Sequence, residues 1–258
     1  MSTSIGFIGS GNLTAFLTTG FCNAKTPLDN LWITDIDPKR TERIASKFPK
    51  QIKIAKDNQS LVDKCQIVIL ALRPNDVKAA LQNLNFGSAH NVISAVALMR
   101  LKELQDLLAP CTNIVRIMPL PPVQEHLGTI PYYPENIKVR NILEKLAIPL
   151  RMETEDNLNV ITAVTCLVAP FYTLLNQTKN WAVEHSVHPE TAQSFTVNMF
   201  HSLAAISKKS NMDLNDMVNE ALTPGGLNEQ ATNYLNALNS FEPFKDILDI
   251  IMQRLENK

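Results

Sequence analysis

The stretch "IGFIGSGNLTAF" (5–16) constrains this chain more than any other segment. A short apolar run ends in Gly9-x-Gly11-x-x-Thr14, and the pattern then turns helical. A strand that closes on paired glycines and opens a helix is the first turn of a dinucleotide-binding unit. Gly9 makes the turn and Gly11 leaves room for a pyrophosphate. The first helical amides, those of Asn12 and Leu13 among them, supply donors for it. Thr14 stands where a small third residue is usual.

The theme then repeats. Apolar, β-branched runs at 5–9, 31–35, 66–72, 91–96 and 113–119 alternate with helical segments at 12–24, 38–47, 75–84 and 100–108. Runs apolar on both faces predict strands covered on both sides, hence a parallel, doubly wound α/β sheet. "GTIPYYP" (128–134) adds a strand candidate, followed by a helix near 138–147 and "PLRMET" (149–154). From Asp156 only helices are predicted, at 156–185, 189–209, 213–222, 228–239 and 241–256. The chain thus reads as a dinucleotide-binding domain over 1–155 and an all-helical domain over 156–258. Ile161, Val164, Val168, Tyr172 and Leu175 give the latter a wide apolar face, which predicts self-association as a homodimer.

A net charge of −1 argues against a nucleic-acid surface. Cys22, Cys65, Cys111 and Cys166 are scattered without metal-ligand spacing and read as reduced thiols of a cytoplasmic protein. His185 and His188 have helical spacing but no third ligand, so no metal is expected. Met1-Ser-Thr-Ser runs directly into the first strand, with no leader signal. The uncharged stretch 157–178 is broken by Pro170 and several polar residues, and reads as a buried helix rather than a membrane span.

The second strand ends in "ITDIDPKR". Asp35 stands where a carboxylate accepts from a ribose hydroxyl, and Asp37 adds a second negative charge against a 2′-phosphate. Lys39 and Arg40 oppose that reading. The balance predicts NAD(P)H with NADH preferred.

Several further motifs resemble the pyrroline-5-carboxylate reductase family over nearly the whole chain. "IGFIGSGN" is similar to its opening IGFIGxGNM, "VILALRPNDV" to VxLAVKPQ, and "IVRIMPLPP" to VVRxMPNTP. "APFYTLL" falls at SGSGPAYVF and "LTPGGLNEQ" at TSPGGTT. The resemblance implies a Rossmann domain, a helical dimerisation domain, and hydride transfer to a cyclic imine. It also implies nucleotide contacts at Ala71, Leu72, Arg73, Pro74, Met118 and Pro119. Thr223, Gly225, Gly226, Leu227 and Cys166 fall on the substrate side. There the paired glycine amides would hold a carboxylate, with Asn228 or water near the nitrogen.

The departures cluster at the substrate positions. Leu120 and Pro121 replace an amide and a hydroxyl, Cys166–Ala169 replaces Ser-Gly-Ser-Gly, and Leu227 and Asn228 replace two threonines. A site that loses hydrogen-bonding groups changes its preferred ligand. Two other readings compete. A β-hydroxyacid dehydrogenase would use Lys179, with Asn180, on a long helix. A nucleotide-binding paralogue without turnover would fit the eroded pocket. His126, after "MPLPPVQE", is a candidate proton donor in a segment that reads as a surface loop.

Overall fold

The computed structural model describes residues 4–28 and 30–256, so Met1–Thr3, part of the leader reading, lie outside the described residues. Eight strands form one sheet in the order β3-β2-β1-β4-β5-β6-β7-β8. The first six are β1 (Ile5–Ile8), β2 (Leu31–Thr34), β3 (Ile52–Ile54), β4 (Ile67–Leu70), β5 (Asn91–Ser94) and β6 (Asn113–Ile117). They run parallel, with Ile5 paired to both Leu31 and Ile67. Strand β7 (Thr129–Tyr133) turns antiparallel to β6, and β8 (Ile148–Arg151) runs parallel to β7.

Period-2 alternation divides the core between the two faces of the sheet. Phe7, Ile33, Ile69, Ile93 and Val115 pack on one side with Leu17 and Phe21 of helix α1 (Asn12–Asn23). Ile8, Val68, Leu70, Val92 and Ile114 pack on the other with Leu61, Val62 and Leu104. Strands buried on both faces are the reason the sequence shows apolar runs there instead of alternation.

Two elements were not expected. Strand β3 is three residues long and only Ile52 of it is buried. Helix α3 (Asn58–Lys64) spans seven residues and begins with a reciprocal cap between Asp57 and Ser60. The loop expected around His126 contains a short 3-10 helix, Pro121–Glu125, which packs against α1.

The chain divides into two compact units, one up to Thr162 with Leu255 and Glu256, the other Ala163–Arg254. Helix α7 (Glu155–Val164) belongs largely to the first. Its Leu158, Asn159 and Thr162 are buried, and Glu155 and Asn159 both bond to Arg116 of β6.

The second unit is helical: α8 (Val168–Glu184), α9 (Pro189–Lys209), α10 (Leu214–Ala221), α11 (Leu227–Ala237) and α12 (Glu242–Glu256). Helices α8 and α9 pack on each other, with Phe171 edge-on to Phe200. Among the described residues of this unit only Ala163, Ala192 and Thr196 are buried.

The single helix expected over 156–185 is broken by a 3-10 turn at Thr165–Leu167, and it is not a buried helix of the monomer. Glu155–Glu184 is long and apolar enough to cross a membrane by length and composition, yet only 22% of its most apolar window is buried. Its apolar face exceeds what one chain's helices cover.

Candidate active site

Strand order reverses between β1 and β4, and a cleft of about 1460 Å³ opens there at the carboxyl ends of the strands. Such a switch point is where doubly wound sheets bind ligands, because adjacent connections leave on opposite faces. The first loop is built for close approach. Gly9 adopts φ +97°, and a Cβ there would lie 2.4 Å from the Ala71 carbonyl. Thr14 is fully buried and its hydroxyl donates to the Gly9 carbonyl at 2.6 Å, which closes the turn from inside. The third position thus serves as a clamp.

A Cβ on Gly11 would meet nothing within 4 Å. Helix α1 starts at that glycine with no side-chain cap and no acidic residue in its first turn. The first amides of the helix therefore have no capping oxygen and no acidic side chain in their own turn, and the space around Gly11 is open. That is the cradle a pyrophosphate requires. The residues fit a dinucleotide.

Asp35 lines the same cleft, with only 6% of its side chain exposed. One oxygen accepts the Ser10 N–H at 2.6 Å and the other the Asp37 N–H at 2.9 Å. Its carboxylate therefore also ties the glycine loop to the end of β2. Arg40 lies 3.8 Å from Asp35 and 3.6 Å from Asp37. Asp37 caps α2 (Pro38–Ala45) by accepting from the Lys39 N–H. Lys39, Arg43 and Lys56 reach the cleft wall as well.

Of the expected nucleotide residues, Gly9, Gly11, Asn12, Leu13, Asp35, Ala71, Leu72 and Arg73 line this one cleft. Pro74, Met118 and Pro119 do not. Pro74 opens α4 (Pro74–Leu81), with Arg73 as its N-cap. Met118 pairs its N–H with the Pro131 carbonyl, and Pro119 is buried.

Sequence reasoning missed the wall supplied by the segment after β3. Asn58 there accepts from the Thr34 hydroxyl at 2.8 Å and donates to the Ala80 carbonyl. The Asp57-x-x-Ser60 capping pattern was the available signal.

The glycine loop of the second unit is hydrogen-bonded within itself. Gly225 adopts φ +73°, which suits glycine. Its N–H donates to Glu229 Oε2 at 2.7 Å, and the Gly226 N–H donates to the Thr223 carbonyl at 2.8 Å. The Asn228 amide donates to the Ala221 carbonyl at 3.3 Å. The glycine amides expected to hold a substrate carboxylate are thus already satisfied inside the loop, because Glu229 folds back as the third residue of α11. Leu227 is 84% exposed. Cys166 lies in the 3-10 turn before α8, partly buried.

The remaining candidates find plain roles. His126 is exposed, bonds the Lys145 carbonyl through Nδ1, and is not part of the dinucleotide cleft. His185 stacks on Trp181, and His188 is the N-cap of α9. Lys179 is partly buried on α8. Among the described residues no three His, Cys, Asp or Glu side chains are grouped for a metal.

Residues 4–98 match the family described as NADP oxidoreductase, coenzyme F420-dependent, and residues 155–257 match pyrroline-5-carboxylate reductase dimerisation. A pyrroline-5-carboxylate reductase of Pseudomonas aeruginosa is 26% identical across 94% of this chain and 92% of its own. That of Methanosarcina acetivorans is 33% identical across 45% of this chain and 43% of its own. The fold is that of the Streptococcus pyogenes 1-pyrroline-5-carboxylate reductase structure, with TM-score 0.87, 20% identity, and 99% of this chain and 98% of that one covered. A Plasmodium falciparum pyrroline carboxylate reductase with NADP bound gives TM-score 0.86 at 18% identity, covering 99% and 97%. Along nearly its whole length the chain is thus a distant relative in sequence of pyrroline-5-carboxylate reductases, and it shares their fold.

Proposed function

We infer that the chain is an NAD(P)H-dependent reductase acting on the C=N bond of a small cyclic imine, and that it works as a homodimer. The observation that carries this reading is an uncapped helix start behind Gly11 at the sheet's switch point, in a chain related to pyrroline-5-carboxylate reductases. The amides following Gly9 and Gly11, at Asn12 and Leu13, hold the pyrophosphate. The backbone at Ala71, Leu72 and Arg73 borders the nicotinamide end. When bound, the reduced nicotinamide supplies the hydride. The chain positions it and excludes water, and the imine is assigned to the loop of Thr223, Gly225, Gly226, Leu227 and Asn228, with Cys166 assigned to the substrate side by motif resemblance.

NADH is the expected partner, because Asp35 and Asp37 together engage Arg40 and keep a carboxylate at the end of β2. The exposed apolar faces of α8 to α12 support the dimer. Four free thiols, three of them buried, suit the cytoplasm. The test is NADH and NADPH oxidation with pyrroline-5-carboxylate, piperideine-carboxylate, their carboxylate-free rings and a panel of keto acids. Turnover confined to keto acids overturns the reading in favour of a hydroxyacid dehydrogenase. Binding of the nucleotide without any turnover overturns it in favour of a non-catalytic paralogue.

A further inference from the structure

Five basic side chains line the dinucleotide cleft, and they are unevenly placed. Lys39, Arg40 and Arg43 belong to α2 and Lys56 follows β3, all on the side of Asp35. Arg73 alone stands across the switch point, at the carboxyl end of β4. Arg40 is held by Asp35 and Asp37, whereas the Arg73 guanidinium has no hydrogen bond or ion pair among the described residues. Asp76, in the first turn of α4, lines the cleft too, and no ion pair joins it to Arg73. The loops after β1 and β4 abut, since a Cβ on Gly9 would lie 2.4 Å from the Ala71 carbonyl. Two residues further on, Arg73 starts within about 7 Å of that contact. A dinucleotide whose phosphates sit at Gly11 sends one half to each side of the switch point. With the adenosine half at Asp35, as proposed above, the nicotinamide and whatever reacts with it come to the side of Arg73.

We propose that Arg73 determines specificity: its guanidinium anchors the carboxylate of a cyclic imino acid from the nucleotide-binding unit. The inference rests on the imine-reductase reading above. A guanidinium stays charged at every pH at which an enzyme works, and it offers two parallel donors to a carboxylate. Free of protein partners, it gives up no bond when that carboxylate arrives. A bare cyclic iminium is a cation and meets a like charge here, whereas an imino acid sets its anionic group between the two. The residue thereby selects for the carboxylate and turns the ring the same way each time. It takes no part in the transfer of hydride or proton.

The test is kcat/KM for 1-pyrroline-5-carboxylate and for 1-pyrroline, with one cofactor, in the full-chain enzyme and in Arg73→Lys and Arg73→Met, beside the Kd of the nucleotide. Methionine keeps much of the side chain's length without its charge, and a normal melting curve separates specificity from folding. The unaltered enzyme should favour the carboxylate substrate, and Arg73→Met should cut that preference by about tenfold or more, mainly through KM. Lysine, a point charge without the fork, should keep part of it. An unaltered enzyme that favours 1-pyrroline, or a preference unmoved in Arg73→Met, overturns the proposal and leaves the reductase reading standing. In the second case a nucleotide Kd raised by the same substitution would assign the guanidinium to the cofactor instead. Turnover of neither imine overturns both.

Discussion

With one backbone N–H on each oxygen and 6% of its side chain exposed, Asp35 fastens the glycine loop, a role separate from its proposed one as ribose ligand. The two roles predict different mutants. Ile36, 98% exposed beside it, can become arginine without disturbing the loop, and Ile36→Arg should raise the kcat/KM ratio of NADPH to NADH by about tenfold through a new phosphate contact. Asp35→Ser should shift the same ratio but weaken both nucleotides, because Ser10 loses its acceptor. An unchanged ratio in both would show that the end of β2 does not read the ribose. The thiols give a second test at this scale. Burial pushes Cys22 up to about 11 and Cys65 up to about 12, from an ordinary 9.0. Both therefore stay protonated and inert in the native state, and iodoacetamide at mild alkaline pH should modify the partly exposed Cys166 first. The unfolded chain ionises these thiols near pH 9 and the native one does not. Their contribution to stability is thus complete below pH 9 and falls as pH rises through 11 and 12, which a series of melting curves would follow.

Among the elements, α7 is held in a way the sequence did not announce. Arg116 on β6 is buried, and its guanidinium bonds Glu155 at 2.6 Å and Asn159 at 3.2 Å; Glu155 also accepts the Leu101 N–H. Removing one partner strands a buried charge, so Glu155→Ala should cost about 3 kcal/mol in urea unfolding of the first unit. A loss below about 1 kcal/mol would show the pair to be dispensable. The strands of the sheet were legible because burial on both faces writes itself as an apolar run. Strand β3 was not, since a three-residue edge strand with one buried side chain leaves almost no periodic signal. At the site the glycine fingerprint could be read directly, as could Asp35, because turn geometry and distance from a strand are local properties. The self-bonding of the 223–230 loop could not, since it depends on where a Glu229 side chain folds. Pro74, Met118 and Pro119 came from motif resemblance alone, and the cleft does not include them.

At the scale of the whole molecule the two units are unequal. The first has a core on both sides of an eight-stranded sheet, whereas the described residues of the second bury three side chains. Phe195, Ile206, Val218, Tyr234 and Leu238 stand half exposed or more. Interfaces of obligate dimers are apolar surfaces of this kind. Dilution should therefore lower the melting temperature of the second unit while leaving the first unit's transition in place, a contrast that calorimetry over a hundredfold concentration range resolves. Ile206→Glu should abolish turnover and the dimer in sedimentation, yet leave NAD(P)H fluorescence titrations nearly unchanged. Loss of nucleotide binding in that variant would refute the independence of the first unit.

The thin core of the second unit also bears on how this enzyme comes into being. On the ribosome the first 162 residues, with all eight strands of the sheet, emerge early. A single newborn chain thus carries a finished nucleotide pocket and a half that waits for company. If the proposed homodimer is the working form, the supply of catalyst rises more steeply than the number of chains made when transcripts are scarce. Synthesis on neighbouring ribosomes, where two nascent chains meet before either is released, is the setting that suits such a protein.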